Sequence, residues 1–405
     1  MSQLSVRAKN TNPDFIYYDI VTTNFQSVST DEPFLRFSET RNNPIVPNSG
    51  DYFLSITRFS LDTYNLPTLI CEIQPNQGGV NNSIYSITMD YVDANDVVLA
   101  TGSQTYLNWV AQNRNTPQPL PPNALPNGLQ DSQTNYYYCY SFQYFVTLMN
   151  ATFQTAFGSL LLDPGSAPVA TAKQPIIYWD ETGMKAIINA ESQYYNQLNS
   201  VGIKQPRIRI FFNPALFSLF NSFATINFGI SPAITDGKNY QIVIGDFLGV
   251  STILLPTNAA PASQIEYTQV FQEFSTIDTW TPVSSIVFTS NTLPIVANQL
   301  SSPQIFNNNQ LIVAAQGNNA NFAQIITDME TNQQVFKPQI LYNPTAEYRR
   351  IAMTGNTPIA DIDIEVYWRD KLGRLIPFYL PSGGSATIKF LFEKKEEAKI
   401  KDLDN

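Results

Sequence analysis

Histidine is absent from this chain of 405 residues, and cysteine occurs only twice, as Cys71 and Cys139. Without histidine the chain cannot form a Ser-His-Asp triad, a Cys-His dyad or an imidazole-ligated metal site. Two cysteines are too few for a zinc knuckle or an iron–sulfur centre. One disulfide between them stays open, but we favour two reduced, buried cysteines.

Charge is also scarce. Asp, Glu, Lys and Arg make up 14% of the residues, whereas an average globular chain has about 25%. The formal net charge of −10 argues against wrapping of nucleic acid, so no sequence-specific nucleic-acid partner is expected. The first residues lack the apolar core of a secretory signal, and no stretch reaches the roughly 18 apolar residues of a membrane span. We therefore expect synthesis inside a host cell without a secretory signal, and no membrane span.

Apolar and polar residues alternate with a period of two along much of the chain. In Asp361–Trp368 the even-numbered residues are Ile, Ile, Val and Trp, and the odd-numbered ones are acidic or tyrosine. This alternation predicts a half-buried strand. With the turns that follow and a last strand at Ala386–Phe392, it predicts a C-terminal antiparallel meander. Similar short runs, separated by Asn, Pro, Gly and Ser, favour an all-β sandwich or barrel.

A helical period is rare. Between Ser141 and Phe157, apolar residues recur on one helical face, with Ser141 placed to cap the start and Gly158 to end the helix. Pro214–Ser222 predicts a shorter helix that begins after Asn213 as its cap. We expect both helices to lie on or between β elements.

Carboxylates are the remaining candidates for chemistry. Asp361, Asp363 and Glu365 share one strand face and offer oxygen ligands that suit Ca²⁺. We favour a solvated outer sheet face, because three carboxylates on one strand need further ligands to close a shell. The other acidic residues are scattered without a shared spacing, and no phosphate-binding loop occurs. The sequence therefore predicts a protein that is not an enzyme, with no catalytic residue, no cofactor and no metal.

Four blocks of sequence resemble the minor capsid (penton) proteins of virophages, Polinton-like viruses and adintoviruses. In chain order they are Phe37–Phe59, Phe274–Ile295, Ile326–Glu330 continuing into Pro338–Arg350, and Asp361–Lys394. The resemblance implies a virion protein with a jelly roll that forms homopentamers at the five-fold vertices of an icosahedral capsid. The double jelly-roll major capsid protein would surround it.

The prediction is thus an all-β fold, a jelly-roll β-sandwich with an insertion and a few short helices. Residues 1–14 are an N-terminal arm, and 15–394 are the jelly-roll domain. The chain exceeds one jelly roll, so an outer insertion is expected around 101–205. Residues 395–405 are a polar C-terminal tail.

Two other classes stay open. Two jelly rolls of roughly 200 residues each would also fill the chain, which would make it a major capsid protein. A β-sandwich carbohydrate-binding or hydrolytic module would instead show two facing carboxylates beside exposed aromatics such as Tyr178 or Trp179.

Five arginines are the candidate interface residues: Arg36, Arg41, Arg58, Arg349 and Arg350. A guanidinium forms bidentate pairs with carboxylates, so these side chains offer contacts between chains. Pairing within the subunit is the alternative that we favour. The Pro-, Gln- and Asn-rich stretch Asn113–Asn135 predicts an exposed loop that offers a contact with a host surface. The terminal segments Met1–Asp14 and Lys394–Asn405 offer contacts with neighbours or with the inner face of the capsid.

Overall fold

The computed structural model describes residues 13–24, 34–74, 79–112, 120–122, 130, 134–230, 234–256, 264–295, 304–307, 310–313, 324–330, 339–342, 349–371 and 375–395. Within these residues the strands are, in chain order, β1 (Phe15–Thr23), β2 (Arg36–Thr40), β3 (Tyr52–Asp62), β4 (Leu69–Ile70), β5 (Asn82–Val92), β6 (Val98–Thr101), β7 (Thr105–Asn108), β8 (Tyr138–Cys139), β9 (Ile176–Asp180), β10 (Lys185–Glu191), β11 (Arg207–Phe212), β12 (Thr225–Asn227), β13 (Tyr240–Ile242), β14 (Thr252–Pro256), β15 (Gln264–Phe271), β16 (Val283–Ser290), β17 (Gln304–Asn307), β18 (Gln310–Val313), β19 (Gln324–Glu330), β20 (Gln339–Tyr342), β21 (Ile351–Ala352), β22 (Asp361–Asp370), β23 (Leu375–Pro377) and β24 (Ser385–Lys394). The α-helices are α1 (Phe142–Leu161), α2 (Ser192–Tyr195), α3 (Pro214–Leu219) and α4 (Ile277–Trp280).

The chain divides into two compact units. Unit 1 comprises Met1–Leu66 and Pro282–Asn405, and unit 2 comprises Pro67–Thr281. In the described part of the chain, no helix combines the length and the hydropathy needed to cross a bilayer.

Unit 1 is built on two antiparallel sheets with four main strands each. One sheet has the order β1-β24-β3-β20, with β21 also paired to β3. The other has the order β19-β16-β22-β2, with β23 also paired to β22. Chain neighbours such as β1 and β2 therefore belong to different sheets. This order is that of a jelly-roll β-sandwich, so the predicted fold class is confirmed.

The core of unit 1 lies between the two sheets. Along β22 the predicted alternation is confirmed, because Ile362, Ile364, Val366 and Trp368 are all buried. Phe59 of β3 and Phe288 of β16 meet edge to face across the sandwich, with ring centroids 5.1 Å apart. Burying one such side chain contributes roughly 1.5–3 kcal/mol to stability.

The predicted C-terminal meander is wrong. β22 pairs with β23 as expected, but β24 pairs with β1 and β3 in the opposite sheet. Alternation identifies which face of a strand is buried and does not identify its partner. In a jelly roll, Greek-key connections carry successive strands from one sheet to the other.

Unit 2 contains two larger sheets and the longest helix. The sheets have the orders β14-β15-β10-β9 and β12-β13-β11-β5-β6, with β7 also paired to β5. The predicted insertion, 101–205, lies inside this unit, whose bounds are wider on both sides. The reason is the pairing of β5 with β11, from Val92 opposite Arg207 to Ile87 opposite Phe212, which joins the two flanks of the predicted segment in one sheet.

Helix α1 packs against β9 of one sheet and against β5 and β7 of the other. Its predicted end at Gly158 is wrong, because the helix continues to Leu161. Gly158 lies on the exposed face, and burial of Leu160 extends the apolar face by a further turn. Ser141 precedes the helix, but its side chain makes no capping hydrogen bond. In α3 the predicted cap is confirmed, since the side chain of Asn213 accepts a hydrogen bond from the N–H of Leu216.

Both cysteines lie in unit 2 as buried free thiols. Cys139 belongs to β8, and the N–H of Cys71 donates to the carbonyl of Tyr137, 2.9 Å away. Burial raises the pKa of the Cys71 thiol well above its usual value. The thiolate, which is the reactive form, is therefore disfavoured.

Candidate intersubunit surface

The outer face of β1 is apolar although it is exposed. Tyr17 and Val21 are 62% and 63% exposed, and Phe15 also lies at the surface. β1 is the last strand of its sheet, and such an edge presents unpaired backbone groups. Exposed apolar side chains beside unpaired backbone are typical of a surface that contacts another chain. We call Phe15, Tyr17, Asp19 and Val21 the β1 surface.

A charged group crosses three strands on this face. Asp19 of β1, Lys389 of β24 and Arg58 of β3 are aligned by strand register. The Asp19 carboxylate lies 3.1 Å from Lys389 Nζ and 3.6 Å from Arg58 Nη2. Because Asp19 and Arg58 are about half exposed, these pairs contribute only about 0–1 kcal/mol to stability. The group holds one carboxylate and two cations, so it offers a positive charge beside the apolar side chains.

Arg41 lies at the corner where β1 meets β2. Its Nε donates to Glu39 Oε1 at 2.7 Å, and its guanidinium carbon lies 5.2 Å from the centroid of the Tyr18 ring. The hydroxyl of Tyr18 donates to the other oxygen of the Glu39 carboxylate. Burial, together with this carboxylate, raises the pKa of Tyr18 to about 12. Tyr18 therefore remains a donor at neutral pH, and the three side chains join the two sheets of the sandwich.

The remaining predicted arginines differ in their surroundings. Arg350 Nε donates to Glu393 Oε2 at 3.0 Å, and both side chains are largely buried. Arg36 is exposed on β2 and forms no ion pair with the described part of the chain, and Arg349 is exposed. Arg41, Arg58 and Arg350 thus pair within the subunit. The interface role of all five stays a prediction.

Sequence reasoning missed the apolar residues of the β1 surface. The signal was present, because the strand carries Phe15, Tyr17 and Val21 on one face and Tyr18 and Ile20 on the other. A strand that is apolar on both faces is typical of one covered on both sides.

The two ends of the described chain lie side by side in unit 1. The N–H of Lys394 donates to the carbonyl of Asp14 at 2.8 Å, and the hydroxyl of Tyr52 donates to the carbonyl of Pro13 at 2.8 Å. The predicted N-terminal arm and C-terminal tail therefore start at neighbouring positions. Residues 1–12 and 396–405 themselves lie outside the described residues.

Most of the predicted loop Asn113–Asn135 also lies outside the described residues. Of the part that is described, Leu120 is strongly exposed. Gln130 is anchored to the fold, because its side chain accepts from the N–H of Ile73 at 3.0 Å and donates to the carbonyl of Cys71 at 2.6 Å.

The acidic strand face in β22 is structural. Asp363 accepts hydrogen bonds from Ser290 Oγ at 2.6 Å and from Thr292 Oγ1 and N–H at 2.7 and 2.9 Å. Its oxygens thereby hold the turn that follows β16. In the described residues, no three Cys, Asp or Glu side chains gather in a way that could hold a metal ion.

Two of the residues that a carbohydrate-binding or hydrolytic module would use are buried. Trp179 is buried and stacks on Phe142, with ring centroids 4.5 Å apart. Asp90, one of the scattered acidic residues, is fully buried and faces two cations, Arg209 and Lys238, rather than a second carboxylate. Neither residue can therefore present the surface that such a module needs.

Jelly-roll sandwiches with this strand order occur in lectins and in the capsid proteins of viruses. Trp179, which would have served a sugar site, belongs to the core, whereas Phe15, Tyr17 and Val21 are exposed on the edge strand β1. A jelly roll with an exposed apolar edge strand is the kind of fold and surface that capsid proteins have.

Comparison with known proteins gives the family. The model of the Sputnik minor capsid protein V18/19 family matches residues 16–394. The chain belongs to this family of minor capsid proteins and is thus a structural component of the virion.

Two curated relatives come from Sputnik virophage. Structural protein V19 is 31% identical over 222 residues, which cover 55% of this chain and 95% of that protein. Uncharacterized protein V18 is 32% identical over 158 residues, which cover 39% of this chain and 87% of that protein.

Two solved structures resemble the whole chain. A chain of the Sputnik virophage cryo-EM structure has a TM-score of 0.76 at 30% identity, covering 95% of this chain and 99% of that one. The crystal structure of the mavirus penton protein has a TM-score of 0.59 at 16% identity, covering 94% of this chain and 100% of that one. At this identity the second likeness shows a shared fold.

Proposed function

We propose that this minor capsid protein forms homopentamers at the five-fold vertices of an icosahedral capsid. The observation that carries the proposal is the single jelly roll of unit 1, whose sheet ends in the exposed, apolar β1 surface. The family and the fold shared with a penton protein support the same role.

A five-fold ring imposes a physical requirement. Its contacts are heterologous, so each subunit needs two different surfaces that fit each other. The sheet that contains β1 ends at its other side with β20, and Leu341 of that strand is also exposed. The two ends of one sheet therefore differ, with three exposed apolar side chains on β1 and the exposed Leu341 on β20. The charged group around Asp19 adds a positive charge to one of them and offers a partner for a carboxylate of the neighbour.

The double jelly-roll alternative has no support in unit 2. A second jelly roll would repeat the two four-stranded sheets of unit 1. The described sheets of unit 2 instead have orders in which β5 pairs with β6, β7 and β11, and α1 packs against both sheets. The family is also one of minor capsid proteins.

The proposal includes partners and excludes catalysis. At a vertex the pentamer contacts the major capsid protein, and the protein acts by binding rather than by transforming a substrate. The loop Asn113–Asn135 is the candidate for contact with a host surface. The relatives' description as structural and capsid proteins supports a role without enzymatic activity.

Native mass spectrometry of the purified chain tests the oligomer. We expect a species of five times the 45.4 kDa chain mass. Replacement of Val21 by Lys on the β1 surface is expected to weaken that species. Only monomers, or a trimer, over the concentrations at which capsid components assemble would contradict the proposal.

A further inference from the structure

Unit 2 contains a sheet edge that nothing described covers. β14 is the last strand of its sheet and pairs only with β15 among the described strands. Leu254, at its centre, is 59% exposed, and none of its five residues is buried. The preceding residues Phe247 and Leu248 are exposed as well. We call residues 247–256 the apolar strip.

The apolar strip lacks the usual protection of an edge. Proteins protect sheet edges with charged side chains, bulges, proline or a covering helix, because an unpaired edge binds other strands. The strip Phe-Leu-Gly-Val-Ser-Thr-Ile-Leu-Leu-Pro contains no charged residue, and its register with β15 shows no bulge. At the opposite end of the same sheet, β9 packs against α1. Only Pro256, at the end of the strand, limits pairing.

Unit 1 contains the complementary feature. β17 and β18 hydrogen-bond to each other and to no third strand among the described residues, although β17 also lies beside β23. A two-stranded hairpin alone is at best marginally stable in water, and a third strand stabilises it. The two strands, Gln304–Asn307 and Gln310–Val313, carry no charge and are rich in β-branched and aromatic residues, as strands that enter sheets are.

We infer that the β17–β18 hairpin of one copy of this chain adds to β14 of a neighbouring copy, extending the sheet of unit 2 across the subunit boundary. The inference rests on the proposed homo-oligomer and names a contact within it. The strands of the hairpin have four residues each and match the five residues of β14 in length. The hairpin strands and β14 are all uncharged. In such strand addition, main-chain hydrogen bonds supply affinity and alternate side chains supply specificity. A hairpin on one copy and an edge on the next also satisfy the heterologous geometry of a ring.

The first test compares two leucine-to-lysine variants of unit 2. Leu254→Lys places a charge on the apolar strip, and Leu162→Lys places the same charge at a side chain that is 85% exposed and lies outside it. Because both side chains are exposed, both variants are expected to melt like the wild-type chain. Mass photometry over a dilution series should show association weakened about tenfold or more for Leu254→Lys and unchanged for Leu162→Lys.

The second test removes the hairpin and asks whether it acts through the same contact. Residues 304–313 are replaced by a Gly-Ser linker of equal length, alone and together with Leu254→Lys. If hairpin and strip meet, the combined variant is no weaker than the worse single variant, because one contact cannot be lost twice. The amides of 252–255 should also exchange more slowly in the wild-type oligomer than in the linker variant.

The outcomes separate this inference from the proposed function. If the Leu254→Lys and linker variants both assemble as well as the wild-type chain, the hairpin contact is wrong. The proposed oligomer is not affected by that result. Effects that add fully also overturn it, because hairpin and strip would then act in different contacts. A wild-type chain that never assembles overturns the proposed function, and this inference with it.

Discussion

The buried ion pair in unit 2 gives the sharpest prediction about stability. Asp90 of β5 is 0% exposed, and it is aligned with Arg209 of β11. Arg209 Nε and Nη2 donate to the two carboxylate oxygens at 2.8 Å each, and Lys238 Nζ donates to one of them at 3.1 Å. A buried carboxylate is tolerated only because it is paired in this way.

The expected loss in the free energy of unfolding depends on the charge that stays unpaired when one partner is removed. Breaking a buried pair typically costs about 3–5 kcal/mol, because an uncompensated charge stays in the interior. In Arg209→Met, Lys238 still neutralises part of the Asp90 charge, so we expect a loss of about 2–4 kcal/mol in the free energy of unfolding. Adding Asp90→Leu should restore much of this loss, because Lys238 also lies 3.8 Å from Asp236 and keeps a partner.

Tryptophan fluorescence during urea unfolding is the assay. Three of the four tryptophans, Trp109, Trp179 and Trp280, lie in unit 2, so the signal reports mainly on this unit. A loss below about 1 kcal/mol for Arg209→Met, the range of exposed ion pairs, would refute the reasoning. A double variant less stable than the single one would refute it as well.

Two further predictions concern unit 1 and helix α3. Burial acts to raise the pKa of Asp363, but the hydrogen bonds from Ser290 and Thr292 lower it overall. The ionised carboxylate therefore stabilises the folded state above pH ~4. This stabilisation is lost as the pH falls through the folded-state pKa. Asp363→Asn should flatten acid unfolding of unit 1 followed by circular dichroism, whereas the exposed Asp361→Asn should not, and equal curves would contradict the assignment. Asn213→Ala removes a helix cap and a buried hydrogen bond, so calorimetry should show a loss of about 1–3 kcal/mol; no change in the melting temperature would contradict it.

Local features of the fold were predictable from the sequence. The alternation in 361–368 identified the buried face of β22 because that face is set by a period of two, which any sandwich must satisfy. The cap at Asn213 was predictable because capping is a contact between residues three apart.

Pairing between distant strands was not predictable. β24 pairs with β1 and β3, more than 300 residues away in the chain, and no local pattern specifies those partners. The bounds of unit 2 depend in the same way on the pairing of β5 with β11. The predicted insertion around 101–205 lies within unit 2, whose bounds are wider, and it stays a prediction.

The kind of contact that the candidate surface makes was predictable from the sequence, but most of its residues were not. The scarcity of charged residues indicated that contacts between chains would be apolar or polar, yet the predicted interface residues were five arginines. Arg41, Arg58 and Arg350 all find carboxylates within the subunit. Arg41 pairs with Glu39, two residues away, but the partners of Arg58 and Arg350 lie on β1 and β24. Those two pairs depend on which strands become neighbours, and that follows from topology.

The most direct test of the central claim is a reconstruction of the capsid that contains this chain. We expect density for the jelly roll of unit 1 around the five-fold axes, in five copies and beside the major capsid protein. Density for this chain at the three-fold or quasi-six-fold positions, with none at the vertices, would contradict it.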